Sequence, residues 1–191
     1  MGLSHQGCVL AGRFAVLPVF FFSLAFGSPA WADEGIDLTV LHTNDLHSHF
    51  KPERSLPALG GLARIKTKVD QIRSKSAASL LLDGGDFSEG SIYYTEGYGT
   101  ETLRLMNEVG YDAAVVGNHD WLNGPDVLLN AIERSNTQMA LVSSNLDYSE
   151  YKDKARFEKS IQPYIIKDFN GAKVAVVGLS TYEKIYDKFF D

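Results

Sequence analysis

Apolar residues follow two rhythms along this chain, and the rhythms alternate. Ile36 to His42 alternates and is rich in β-formers, which predicts a strand. From Leu62 the spacing changes: Leu62, Ile65, Val69 and Ile72 recur with Arg64, Lys66, Lys68 and Arg73 between them. That pattern predicts a helix with one buried stripe. Ser79 to Asp83 is a second strand, bounded by Gly84 and Gly85, and Thr100 to Val109 a second helix, closed by Gly110 as a C-terminal cap. Asp112 to Val116 gives a third strand and Pro125 to Arg134 a third helix, with Pro125 near its first turn. Met139 to Ser143 is a short strand. Gln162 to Phe169 and Lys173 to Leu179 flank Asn170-Gly171, a two-residue hairpin signal. Strands and helices in alternation, then a hairpin, define the α/β class. Ser55 to Gly61 and Ser88 to Gly99 are left as loops.

The amino terminus stands apart from this alternation. Arg13 precedes an apolar stretch from Phe14 to Phe26, followed by Gly27-Ser28-Pro29 and Ala30-Trp31-Ala32. This is the layout of a secretory signal peptide, residues 1–32, cleaved after Ala32. The stretch, with Pro18 inside it, is too short to cross about 30 Å of hydrocarbon, so no stable membrane anchor is expected after cleavage. The expected location is the periplasm or the exterior. Residues 33–191 remain, length for about one domain.

Composition narrows the function by exclusion. The formal net charge is −6, and loss of Arg13 makes the mature chain more negative, which argues against a nucleic-acid partner. Cys8 is the single cysteine and leaves with the leader, so neither disulfides nor a cysteine-based zinc site are expected.

The candidate chemistry lies where three strands end. Thr43-Asn44-Asp45-Leu46-His47, Gly84-Gly85-Asp86 and Gly117-Asn118-His119-Asp120 each follow an apolar run. In a parallel sheet of βαβ units, the carboxyl ends of the strands emerge on one edge, and ligands bind there. Asp45, His47, Asp86 and Asn118 would therefore converge although they are far apart in sequence. Hydrolysis of a phosphoester at neutral pH is served by two divalent ions about 3.5–4 Å apart, which generate hydroxide and clamp the phosphoryl oxygens. Such a pair needs a bridging carboxylate, hard oxygen ligands and imidazoles. Asp86, from the middle strand of the three, is the natural bridge. Asp45 and His47 would face the first ion, Asn118 would offer a carbonyl oxygen to the second, and His119 could protonate the leaving oxygen. This ligand set suits manganese, zinc or iron.

Taken singly, each motif has a plain explanation: Asp-x-His recurs by chance, Gly-Gly-Asp is a common turn, and Asn-His is ordinary in loops. Their joint placement at three strand ends carries the signal. His42 fits the end of a buried strand face better than a ligand, and His49 a residue outside the ligand set. Tyr93, Tyr94 and Tyr98 fit an exposed loop tip better than a stacking platform. Trp121 suits core packing as well as a wall of the site.

Leu41-His42-Thr43-Asn44-Asp45-Leu46-His47-Ser48-His49, Gly60-Gly61-Leu62-Ala63-Arg64, Asp83-Gly84-Gly85-Asp86 and Val116-Gly117-Asn118-His119-Asp120 resemble the motifs of the calcineurin-like metallophosphoesterases. Within that superfamily they are most similar to the exported bacterial 5′-nucleotidase and UDP-sugar hydrolase branch. The resemblance runs from about Ile36 to Leu179. It implies an α/β/β/α sandwich, two divalent metal ions, and phosphate monoesters or nucleotides as substrates. By motif match it implies Asp45, His47, Asp86 and Asn118 as metal ligands and His119 as the catalytic histidine.

Two departures qualify the resemblance. Family members commonly carry an acidic residue four positions after the asparagine, pairing with the histidine, and here that position holds Leu122. Asp120 is adjacent to His119 rather than a turn away, so it is not an equivalent partner. Asp126 or a backbone carbonyl is left to orient His119. The family also completes its metal shells with histidines from later loops, and no histidine follows His119. The chain therefore reads as the amino-terminal part of a longer enzyme, with an apolar sheet face left uncovered. The rival reading is a non-catalytic fragment holding at most one metal. A third keeps the fold but cleaves another ester, such as a cyclic phosphodiester or a thiosulfonate.

Overall fold

In the computed structural model, residues 35–56 and 58–181 are described, so the segment read as a signal peptide lies outside the described residues. The strands are β1 (Leu38–Thr43), β2 (Ala78–Asp83), β3 (Ala113–Val115), β4 (Ala140–Val142) and β5 (Ile161–Gln162), and they form one parallel sheet in chain order. Helices α1 (Leu62–Arg73), α2 (Ile92–Thr95), α3 (Thr100–Val109), α4 (Pro125–Ser135) and α5 (Lys154–Ser160) fall between them. The antiparallel hairpin of β6 (Tyr164–Phe169) and β7 (Ala172–Val177) follows. Each element read from periodicity is present, with ends shifted by a residue or two.

Register decides which side chains reach the core. Leu81 of β2, Ala114 of β3 and Leu141 of β4 share one face of the sheet. They meet Val69 of α1, Leu103 and Met106 of α3, and Leu128 and Leu129 of α4 in one cluster. Burying such apolar surface is the main term holding the layers together. On the opposite face, Leu82, Ala113, Val115 and Val142 line a cavity with Val176 and Val177 of β7, so the hairpin supplies two strands of a second layer. The hairpin's exit is clamped: Ser144 N donates to Gly178 O over 2.9 Å, and Ser180 Oγ donates to Val116 O over 2.6 Å.

This partial cover corrects the reading of His42. It lies on the second face and is exposed rather than closing a buried one, as is Val40 beside it at 51%. The loop expected from Ser88 to Gly99 also needs correction, because it contains α2, with Ser91 Oγ accepting from Tyr93 N as its cap. There Tyr94 is buried and Tyr93 packs on Phe50, leaving only Tyr98 as an exposed tip.

Candidate metal centre

The β1–β2 ladder continues past the strand ends. Gly84 N donates to Thr43 O (2.8 Å), Asp45 N to Gly85 O (2.9 Å), His47 N to Asp86 O (3.0 Å) and Ser48 N to Phe87 O (2.9 Å). Two loops distant in sequence are thereby laid side by side, with Asp45 and His47 next to Asp86. The backbone accepts a local cost to do so. Asp45 (φ 53°), His47 (φ 42°), Ser48 (φ 53°), Asp86 (φ 55°) and Glu89 (φ 71°) all occupy the left-handed region. Non-glycine residues there are uncommon and gather at functional sites, where surrounding structure holds them. Ser48 illustrates the holding: fully buried, it shares a 2.8 Å hydrogen bond with Thr102 Oγ1 of α3.

The third loop is pressed against the second. A Cβ on Gly117 would stand 2.2 Å from Asp86 Oδ1 and 2.4 Å from Asp86 N, so only glycine permits the approach. Asp120 then ties the two loops. Its Oδ2 accepts from Asp86 N (3.1 Å) and Gly117 N (2.8 Å), and its Oδ1 accepts from Ser88 N (2.8 Å). Burial pushes its carboxyl up to about 7, against the backbone donors of Ser88 and Gly117, which pull it down. Asp120 thus serves the loops rather than its neighbour His119: it holds the Asp86 loop against the Asn118 turn, a role that no motif spacing reveals.

The outcome is a convergence of side chains. Ligand atoms of Asp45, His47 and Asp86 lie within 4.8 Å of one another, with His47 Nε2 3.9 Å from Asp45 Oδ1. Asn118 sits between Gly117, packed on Asp86, and His119, whose N–H donates to Asp86 Oδ1 over 2.8 Å. The His47 and His119 rings meet edge to face, centroids 4.7 Å apart. His119 Nδ1 hydrogen-bonds Glu89 Oε2, a residue that lies in none of the sequence motifs. Asp126, the acid that sequence leaves to orient His119, instead binds Tyr151 Oη and Lys152 Nζ. Trp121 is buried and stacks on Phe157, as core packing requires.

The donors suit a divalent cation: two carboxylates and an imidazole, with a further imidazole and carboxylate alongside. Asp83 lies at the end of β2, and its carboxyl is pushed up to about 6, chiefly by burial and further by the negative charges of Asp45 and Asp86. Hydrogen bonds from Thr43 Oγ1 (2.6 Å) and Gly85 N (3.0 Å) offset part of that.

A parallel sheet whose strand ends present these loops belongs to a known class. Residues 38–187 match the calcineurin-like phosphoesterase family, and the chain is a member of it. Protein UshA of Yersinia enterocolitica is 39% identical over 168 residues, covering 83% of this chain and 29% of that protein. The 5′-nucleotidase of Bos taurus is 35% identical over 173 residues, covering 84% of this chain and 29% of its own length. Among solved structures, a 5′-nucleotidase precursor from Thermus thermophilus superposes with a TM-score of 0.67 at 30% identity, over 75% of this chain and 28% of that one. The chain thus spans about three tenths of the length of these relatives.

Proposed function

We propose that this chain carries the metal-binding part of an exported, 5′-nucleotidase-like hydrolase of phosphate monoesters. Asp45, His47, Asp86 and Asn118 would hold two divalent ions, with Asp86 as the bridge, and His119 would serve as general acid. The observation that carries the reading is the pairing of two loops, distant in sequence, that brings Asp45, His47 and Asp86 within ligand reach of one another. The relatives named 5′-nucleotidase support nucleotides as the substrate class. Export rests on the order Arg13, apolar stretch and Ala30-Trp31-Ala32.

Bound divalent ions would polarise the phosphoryl group and make water a nucleophile at neutral pH. The chain's own residues do the rest. Asp86 is fixed through both its backbone and its side chain, so its carboxylate cannot swing away from the other loops. His119 is anchored through its N–H to that same carboxylate, which keeps the imidazole in register with the ligands.

The test uses the full-length protein, stripped of metal and reloaded with manganese, acting on a nucleoside 5′-monophosphate. Hydrolysis that chelator removes and manganese restores is expected, and Asp86→Ala should abolish both turnover and metal uptake. Activity that survives Asp86→Ala in excess manganese would overturn the bridging role.

A further inference from the structure

Glu89 lies in a glycine-rich loop and is nowhere near His119 in sequence, yet the fold sets its carboxylate on the imidazole. We propose that Glu89 is the positioning residue for His119: it fixes the ring with the proton on Nδ1 and leaves Nε2 as the nitrogen free to exchange a proton. The inference rests on the reading of the site as an ester hydrolase.

Three observations carry it. First, the contact itself joins His119 Nδ1 to Glu89 Oε2, and an ionised carboxylate can only accept. The proton therefore belongs on Nδ1, and orientation of an imidazole through its other nitrogen is how its tautomer is set. Second, the turn that presents Glu89 is built rather than incidental. Glu89 (φ 71°) is followed by Gly90 (φ 86°), where a Cβ would stand 2.7 Å from His47 O and 2.9 Å from His49 Cε1. Ser88 N, immediately before, is held by Asp120 Oδ1 at 2.8 Å, so the residue that follows His119 also fixes the loop carrying Glu89. Third, the positions nearer in sequence do not serve. Position 122 is leucine, Asp120 is occupied by three backbone donors, and Asp126 is paired with Tyr151 and Lys152. The His47 ring, edge to face with it, further confines His119.

The balance of the step is simple. Doubly protonated His119 gives its Nε2 proton to the leaving oxygen as the phosphorus–oxygen ester bond breaks and the water oxygen bonds phosphorus, which leaves the neutral ring with Nδ1–H still on Glu89. The proton shed by the attacking water restores Nε2–H before the next cycle.

The closing experiment reads the histidine ring directly and the chemistry separately. In the metal-free full-length protein with nitrogen-labelled histidine, His119, assigned by its loss in His119→Asn, should appear as the Nδ1–H tautomer with a strongly downfield ring proton. Glu89→Gln should lose that proton signal and populate both tautomers. In the manganese-loaded enzyme, Glu89→Gln should lower kcat on a nucleoside 5′-monophosphate about 10²-fold with KM nearly unchanged. The loss on p-nitrophenyl phosphate, whose leaving group needs no proton, should be several-fold smaller. An unchanged His119 ring spectrum in Glu89→Gln would overturn the assignment, as would an equal loss on both substrates. A wild-type protein with the Nδ1–H signature but no hydrolysis would support the Glu89 pairing and count against the hydrolase reading instead.

Discussion

The carboxyl edge of the parallel sheet and the β6–β7 hairpin hold residues in the left-handed region for opposite reasons. In the hairpin, Asn170 (φ 54°) and Gly171 (φ 97°) make the two-residue turn that matches strand twist, and a Cβ on Gly171 would meet nothing within 4 Å. The strain there serves chain reversal and nothing else. At the sheet edge, Asp45, His47, Ser48, Asp86 and Glu89 adopt similar angles without reversing a strand, and the glycines beside them, Gly85, Gly90 and Gly117, are hemmed in by neighbouring loops. Their conformations aim side chains. One region spends an unfavourable backbone on topology, the other on bringing carboxylates and imidazoles together.

That contrast can be broken by single methyl groups. Gly117→Ala places a Cβ on Asp86 Oδ1, and overpacking there is expected to destabilise the protein by about 3 kcal/mol and to weaken metal binding with it. Chemical denaturation and a manganese titration would check the pair of effects. Next in size is the charge at the edge. The Asp83 carboxyl is raised in the folded state to about 6 from an unfolded value of 3.8, so its contribution to stability is fully present below about 4 and is lost as pH rises through about 6. Through Asp83 the metal-free protein should lose on the order of 2 kcal/mol across that window, while Asp120, raised to about 7, adds a loss of the same sign. Asp83→Asn should therefore remove only the Asp83 share of the slope, measured by denaturation at each pH. The smallest effect belongs to the hairpin. Gly171→Ala forces a left-handed alanine into open space and should cost about 1 kcal/mol without altering metal affinity. An equal loss of metal binding in both glycine variants would erase the distinction between the two regions.

Periodicity alone makes most of this fold legible. The helix from Leu62 begins where the stripe begins, and the Asn170-Gly171 turn falls where the dipeptide places it. Helix α5 and strand β5 are not legible in that way. Lys154–Ser160 buries Phe157 alone, so it has no stripe to read, and β5 is two residues long. At the site, Asp45, His47, Asp86 and Asn118 stand out in sequence because each sits at a strand end. Glu89 and Asp120 act through contacts between loops that share no spacing, and nothing in local sequence distinguishes them from solvated acids. Leu122 is the one available signal: a missing acid beside His119 implies that another has to come from elsewhere.

Metal binding at the sheet edge through Asp45, His47 and Asp86 is tested most directly by anomalous scattering from crystals of the manganese-loaded protein. The expected result is a peak about 2.0–2.5 Å from an Asp86 carboxylate oxygen, flanked by His47 and Asp45, and absent in Asp86→Ala. Manganese bound elsewhere, or a peak that persists without the Asp86 carboxylate, would contradict it.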